Sequence, residues 1–227
     1  SSAASDVYKR QVMKIIVSLE NEEAFKLAEK LADHVDGFKI NHILWDQFFF
    51  LKFKGWKKKE IFVDFKLWDT PNTVVSVVER LIESSVTMTT ISTFNNDVVF
   101  DNLQQFKSEI KLLGVTYLTS WTPQDQYAIC RQMPDPMWEQ SLRRIEGFYG
   151  LVCSPKDLPD IDYIDFEHNY KRVCPGIGHN TGQHRTTTPR QAFQLGADYI
   201  VLGRTITQAK DPIQTIQNIT KEIDESQ

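Results

Sequence analysis

Asp64, Lys66 and Asp69 place three ionisable side chains within six residues, in the stretch Glu60-Ile61-Phe62-Val63-Asp64-Phe65-Lys66-Leu67-Trp68-Asp69-Thr70-Pro71-Asn72-Thr73. The run that carries them is β-branched and aromatic, which reads as a buried strand, and Pro71-Asn72-Thr73 breaks it and opens an amphipathic helix. Strand alternation predicts Asp64 and Lys66 on one face, with Asp69 beyond the strand on the turn. A carboxylate and an ammonium buried side by side are costly unless they pair or do chemistry. An ammonium held by neighbours rather than by water can stabilise negative charge on a substrate, and a structural ion pair at a barrel rim satisfies the same spacing.

Two other stretches could join that pair. Glu20 follows Ser18-Leu19 at the end of a first strand, and Lys39 lies in Phe38-Lys39-Ile40-Asn41 on a second. Lys39 alone reads as a solvated edge lysine; in register with Asp64 and Lys66 it faces the same mouth. Further on, Cys174 to Pro189 contains Gly176, Gly178, Gly182, His179, Gln183 and His184 between a strand and a helix, a polar loop able to fold over a ligand. Gly203-Arg204 directly follows the last strand. A glycine there lets backbone N–H groups approach a phosphate and an arginine adds a charge-assisted fork, where otherwise a plain turn would stand.

The elements that must position these groups alternate strand and helix with short connections, the mark of βαβ units and a parallel sheet. Strands are predicted at Met13–Leu19, Asp36–Asn41, the Glu60 stretch, Val86–Ile91, Gly114–Thr119, Gly147–Cys153, Tyr170–Cys174 and Ala197–Leu202. Predicted helices run from an Asn21 cap to about Asp33, from Ile43 to about Phe53, from Asn72 to about Glu83, and from after Asp97 to near Lys111. Pro134 and Pro136 split the next into Pro123–Met133 and about Asp135–Glu146. A short helix or turn follows Pro155 and Pro159, and Thr188–Leu195 and Asp211–Glu225 complete the series. Eight such units close most naturally as a (β/α)8 TIM barrel, one α/β domain over residues 12–227, with its active site at the C-terminal ends of the strands. Residues 1–11 are read as a disordered leader or cloning remnant outside the fold.

Composition fits that architecture. The 227 residues are 41% hydrophobic and 25% charged, ordinary for a globular protein, and the net charge of −4 argues against a general nucleic-acid binder. Lys52 to Lys59, with Phe53 and Trp56, is the one basic patch, read as a solvated helix end and loop. Cys130, Cys153 and Cys174 form no Cys-x-x-Cys pair, so neither a disulfide framework nor a zinc site is indicated and a reducing cytoplasm is the simplest home. No apolar run approaches the roughly 20 residues that span a bilayer, so no membrane partner is expected.

Asp64-x-Lys66-x-x-Asp69, followed by x-Pro71-Asn72-Thr73, resembles the signature of the orotidine 5′-phosphate decarboxylase family. The first part alone is shared with a wider group that includes 3-keto-gulonate-6-phosphate decarboxylase and hexulose-phosphate synthase. Pro175-Gly176-Ile177, Gln183, Arg185, Thr188-Pro189, Gly196-Ala197-Asp198 and Gly203-Arg204 also resemble the family's pattern, as do Leu118-Thr119-Ser120 and Val152-Cys153-Ser154. Within the wider group the keto-gulonate enzymes generally carry a magnesium-binding glutamate where this chain has Lys39. The resemblance therefore implies cofactor-free and metal-free decarboxylation of orotidine 5′-phosphate to uridine 5′-phosphate and carbon dioxide in pyrimidine synthesis. A magnesium-dependent sugar-phosphate lyase and a silent phosphate-binding barrel are the alternatives.

By the same resemblance Lys66 is the cation and proton donor, and Asp64 lies beside the substrate carboxylate. Lys39 braces the aspartates and contacts the ribose, Glu20 holds a ribose hydroxyl, and Ser120 binds the pyrimidine edge. Gln183, Arg204 and the Gly203 N–H grip the phosphate, while Asp69 and Thr73 reach into a neighbouring subunit's site, implying a homodimer. The chain departs from the family pattern at Glu20 for aspartate, Asn41 for glycine, Gly178 where many members have arginine, and Trp68 and Thr70 inside the motif.

Overall fold

The computed structural model describes residues 12–44, 58–131, 134–164, 170–178 and 186–226. Eight parallel strands close into a barrel in chain order: β1 (Lys14–Leu19), β2 (Gly37–Ile40), β3 (Glu60–Leu67), β4 (Met88–Ser92), β5 (Lys111–Val115), β6 (Gly150–Val152), β7 (Lys171–Cys174) and β8 (Tyr199–Leu202). Lys14 to Val17 pair with Tyr199 to Leu202 and complete the ring. The described helices are α1 (Glu22–Leu31), α2 (Pro71–Glu83), α3 (Asp97–Leu103), α4 (Pro123–Cys130), α5 (Pro134–Arg144), α6 (Leu158–Ile164), α7 (Pro189–Gln194), α8 (Arg204–Thr207) and α9 (Pro212–Asp224). The (β/α)8 barrel read from the alternation of strand and helix is the architecture observed.

Period-two alternation along each strand builds two apolar layers. Ile16, Phe62, Met88, Leu113, Val173 and Val201 belong to the cluster that fills the barrel, while Val17, Ile61, Val63, Ile91 and Leu112 pack with the helices outside it. Several helix starts are fixed by side-chain caps: Asn21 accepts from the Ala24 N–H at 2.8 Å, and Thr188 forms a reciprocal capping box with Gln191.

Three sequence expectations need correction. β5 begins at Lys111 rather than Gly114 and ends at Val115, whose carbonyl is taken by the Thr93 N–H at 2.9 Å; Thr116 to Ser120 leave the sheet. The helix expected to reach Lys111 stops at Leu103 with one 3-10 turn after it, and Lys111 already belongs to β5, its N–H donating to the Thr87 carbonyl at 2.9 Å. Most importantly, β3 is not a regular strand at its end. Val63 pairs with Thr89 but Leu67 pairs with Ile91, so four steps on β3 face two on β4, and Lys66 has φ +50°. The remaining strand and helix limits fall within about three residues of expectation. The expected helix Ile43–Phe53 lies, apart from the single turn His42–Leu44, outside the described residues, as do residues 1–11 and most of the Lys52–Lys59 run.

The N-terminal mouth of the barrel is closed by charge. Glu60 accepts from Lys14 at 3.4 Å, from Thr87 at 2.9 Å and from Lys111. Lys171 and Asp198 pair at 2.7 Å, and the Tyr149 and Tyr199 hydroxyls meet at 2.7 Å. Burial pushes the Glu60 carboxyl up, but Lys111, Thr87 and Lys14 outweigh it and hold it below its ordinary value. A depressed carboxylate contributes stability above its unfolded value and loses it as the pH falls through the folded one. Glu60→Gln should therefore cost about 2 kcal/mol at neutral pH. The gap to wild type should shrink as the pH drops below about 4. Thermal melts between pH 7 and 3 check this, and a gap unchanged at pH 3 would contradict it.

Candidate active site

The register break on β3 places the reactive groups. An amide that would continue the β3–β4 ladder instead donates to a side chain: the Lys66 N–H reaches Thr90 Oγ1 at 2.8 Å. The left-handed backbone of Lys66 costs on the order of 1–2 kcal/mol for a residue with a Cβ, so it is held by its surroundings. Asn95, almost wholly buried, adds a second restraint: its Nδ2 donates to the Leu67 and Ser92 carbonyls at 2.8 Å, and its Oδ1 accepts from the Asp69 N–H at 3.2 Å. Asp64 and Lys66 do face the same way, as expected, but through this bulge rather than by strand alternation.

Asp64 is the centre of the cluster. Its Oδ2 accepts from Lys66 Nζ at 2.8 Å and from Lys39 Nζ at 3.3 Å, and its Oδ1 accepts from the Thr90 hydroxyl at 2.9 Å. Lys39 arrives there because β2 sits in register with both neighbours, Ser18 on one side and Phe62 on the other. Burial pushes the Asp64 carboxyl up; the Lys39 and Lys66 ammoniums, with hydrogen bonds from Lys66 and Thr90, more than offset it and keep it below its ordinary value. The side chain of Lys66 is 40% exposed against 15% for Lys39, so Lys66 presents its ammonium to the open space while Lys39 backs the carboxylate.

That open space is a cavity of about 300 Å³ at the C-terminal ends of the strands. Its charged side carries Glu20, Lys39, Asp64 and Lys66 from β1 to β3, its other wall is apolar with Val115, Val152, Ile177 and Val201, and Gly203 and Arg204 stand at the end of β8. Ser120 also lines it. A Cβ at Gly203 would come no closer than 3.5 Å to any other described residue, that neighbour being Glu20 Oε1. That is an ordinary contact, so crowding does not require glycine there; the backbone, at φ −101° and ψ −111°, lies outside the regions open to residues with a Cβ. Gly178 is different: with φ +135° and Thr205 Oγ1 2.0 Å from where a Cβ would be, it cannot carry a side chain without rearrangement.

Of the ten residues read as site residues, seven line this one cavity: Glu20, Lys39, Asp64, Lys66, Ser120, Gly203 and Arg204. Asp69 and Thr73 are exposed and do not line it; Asp69 accepts from the Thr70 N–H at 2.6 Å, and Thr73 Oγ1 lies 2.9 Å from Thr70 Oγ1. Gln183 lies outside the described residues. Sequence reasoning missed Thr90, Asn95 and Ser18. For Thr90 the available signal was a hydroxyl two residues after Met88, on the inward phase of β4.

A profile of the orotidine 5′-phosphate decarboxylase / HUMPS family matches residues 6–219. The chain belongs to the orotidine 5′-phosphate decarboxylase / HUMPS family. It is 33% identical over 242 aligned residues to the orotidine 5′-phosphate decarboxylase of Dictyoglomus turgidum, covering 95% of this chain and 97% of that one. It is 32% identical to that of Coxiella burnetii, over 92% of this chain and 96% of the relative. The crystal structure of orotidine 5′-phosphate decarboxylase from Lactobacillus acidophilus superposes with a TM-score of 0.74 at 27% identity, covering 93% of this chain and 99% of that one. The decarboxylase / HUMPS family thus accounts for the whole described barrel, and Asp64, Lys66 and Lys39 fall at its mouth as a compact charge cluster.

Proposed function

We propose that this barrel decarboxylates orotidine 5′-phosphate to uridine 5′-phosphate and carbon dioxide in pyrimidine synthesis, with residues 12–227 acting as one catalytic domain. The observation that carries this reading is the Asp64 carboxylate clasped between two ammonium groups on the wall of a cavity that has Arg204 at its rim. Breaking the C6–carboxyl bond leaves the electron pair on C6, where the ring offers no good sink. The site must therefore supply the stabilisation as fixed charge. The Lys66 ammonium faces the developing carbanion and gives C6 its proton. Asp64 lies against the substrate carboxylate and disfavours the bound ground state relative to the charge-dispersed transition state. Lys39 holds Asp64 in place and contacts the ribose, and Glu20, beside Gly203, takes a ribose hydroxyl. Ser120 meets the pyrimidine edge; Arg204, the Gly203 N–H and Gln183 bind the phosphate, whose binding energy is realised at the reacting end.

The active form in this reading is a homodimer in which Asp69 and Thr73 complete the neighbouring site. Its support is the surface around them: Trp68 is 71% exposed, its ring 6.3 Å from that of Phe94, with exposed Val98 close in sequence. Such an apolar patch beside polar groups that miss their own cavity suits a subunit contact. The cytoplasm is the proposed location, in keeping with three free cysteines; among the described residues no helix is long and apolar enough to cross a membrane.

Loss of orotidylate absorbance on adding the protein tests the activity, and the same assay with EDTA separates it from a magnesium-dependent lyase, which the chelator would silence. Mixing Lys66→Ala with Asp69→Ala protein should restore about a quarter of wild-type turnover, since half the dimers are mixed and each mixed dimer holds one whole site. No recovery after subunit exchange would refute shared sites.

A further inference from the structure

Thr90 is fully buried on β4, and its hydroxyl touches both members of the reactive pair. It accepts from the Lys66 N–H at 2.8 Å and donates to Asp64 Oδ1 at 2.9 Å. A hydroxyl has one proton to give, so the acceptor it points at must keep a lone pair for it. Here that acceptor is a carboxylate whose other oxygen is occupied by two ammoniums. The N–H it accepts from belongs to the residue with the left-handed backbone, at the point where β3 departs from its ladder with β4. One side chain thus spans the bulge and joins its backbone to its charge.

We propose that Thr90 is a positioning residue of this site: its hydroxyl fixes the Asp64 carboxylate and the Lys66 backbone together, and so sets where the Lys66 ammonium stands against the reacting carbon. The inference rests on the decarboxylation proposed above. Thr90 does not touch substrate and acts through its two partners. The groups that face Asp64 are Lys39 from β2, Lys66 from β3 and Thr90 from β4, while Glu20 and Arg204 border the same cavity from the ends of β1 and β8. Of these, Thr90 is the one that contacts Asp64 and the Lys66 main chain at once. Valine has nearly the same shape but neither donates nor accepts, so it cuts both links.

Thr89 supplies the control. It is equally buried on the same strand, and its hydroxyl donates to the Val63 carbonyl at 2.9 Å, a backbone restraint with no charged partner. In Thr90→Val, kcat should fall roughly a hundredfold with KM within about threefold of wild type. Because the carboxylate loses a hydrogen bond to its charged form, the titration of Asp64, followed by carboxyl carbon NMR in the ligand-free protein, should move upward by about one pH unit. Thr90→Ser, which keeps the hydroxyl, should restore both. Thr89→Val should melt at a lower temperature than wild type yet leave kcat and the Asp64 titration unchanged. If Thr90→Val does not fold, Thr90→Cys carries the test, and its weaker hydrogen bond should give an intermediate kcat and a smaller upward titration shift.

Wild-type kcat and titration in a folded Thr90→Val or Thr90→Cys protein would overturn the inference, and so would Thr89→Val reproducing the same kcat loss. The NMR titration needs no substrate. An upward shift of Asp64 in a protein whose wild type fails to turn over orotidylate would sink the proposed reaction while leaving the link from Thr90 to Asp64 in place.

Discussion

Lys66→Ala should lower kcat for orotidine 5′-phosphate by roughly ten-thousandfold or more, because the same ammonium supplies both the fixed charge and the proton. Each of those roles alone is worth on the order of a hundredfold to a few thousandfold in enzymes where it has been removed. The protein itself should fold normally. The Lys66 side chain is 40% exposed and its ammonium makes one ion pair among the described residues, and Asp64 keeps Lys39 and Thr90 when it is gone. Binding of uridine 5′-phosphate is dominated by the far end of the cavity, at Gly203 and Arg204 in the proposed arrangement, so calorimetry should find affinity within about tenfold of wild type. Turnover within about tenfold of wild type would remove Lys66 from the chemistry altogether.

Asp64→Asn should be the second most damaging change, and it should look different in the kinetics. Without the carboxylate, the two ammoniums of Lys39 and Lys66, which now share one oxygen, face one another unscreened and move apart. The proton donor is then misplaced, and kcat should drop by about a thousandfold. The substrate carboxylate no longer meets a like charge, so KM should fall as well. A fall in both is the pattern left when ground-state strain has been removed. A rise in KM with kcat kept would instead make Asp64 an ordinary binding group. The pH dependence has a definite sign: the carboxyl titrates below its ordinary value, so its ionisation stabilises the fold above that range and the contribution is lost in acid. The Asn variant should therefore lose less stability than wild type between pH 5 and pH 3.

The barrel was legible because the strands are short, mostly apolar runs and several helices begin at a capping residue such as Asn21 or Thr188. Lys39 could be tied to Asp64 from sequence because neighbouring parallel strands stay in register, and they do. β5 was less legible: Lys111-Leu112-Leu113-Gly114-Val115-Thr116-Tyr117 suits a strand throughout, and the pairing with β4 and β6 that stops at Val115 is set by residues distant in sequence. The bulge left no trace either. Phe65 and Lys66 extend the strand pattern, and a left-handed lysine is sustained by contacts that local spelling does not encode. Thr90 was hidden for a related reason, since a threonine belongs on a strand whether or not its hydroxyl has work to do. Asp69 lies past the end of β3 and Thr73 in the first turn of α2, and neither lines the described cavity.

β3 and β4 run as an unbroken ladder up to Val63 and Thr89 and meet again at Leu67 and Ile91, so residues 64–66 form a pouch in a wall that is sealed below and above. Frame and cargo are therefore separable. The lower wall holds the barrel's shape with Phe62, Met88 and their neighbours, and the pouch adds reactive groups without asking the frame to bend. A change of chemistry on such a scaffold can be written by re-spelling a few letters of the pouch and of the strand ends around the same cavity, while the lower wall stays as it is.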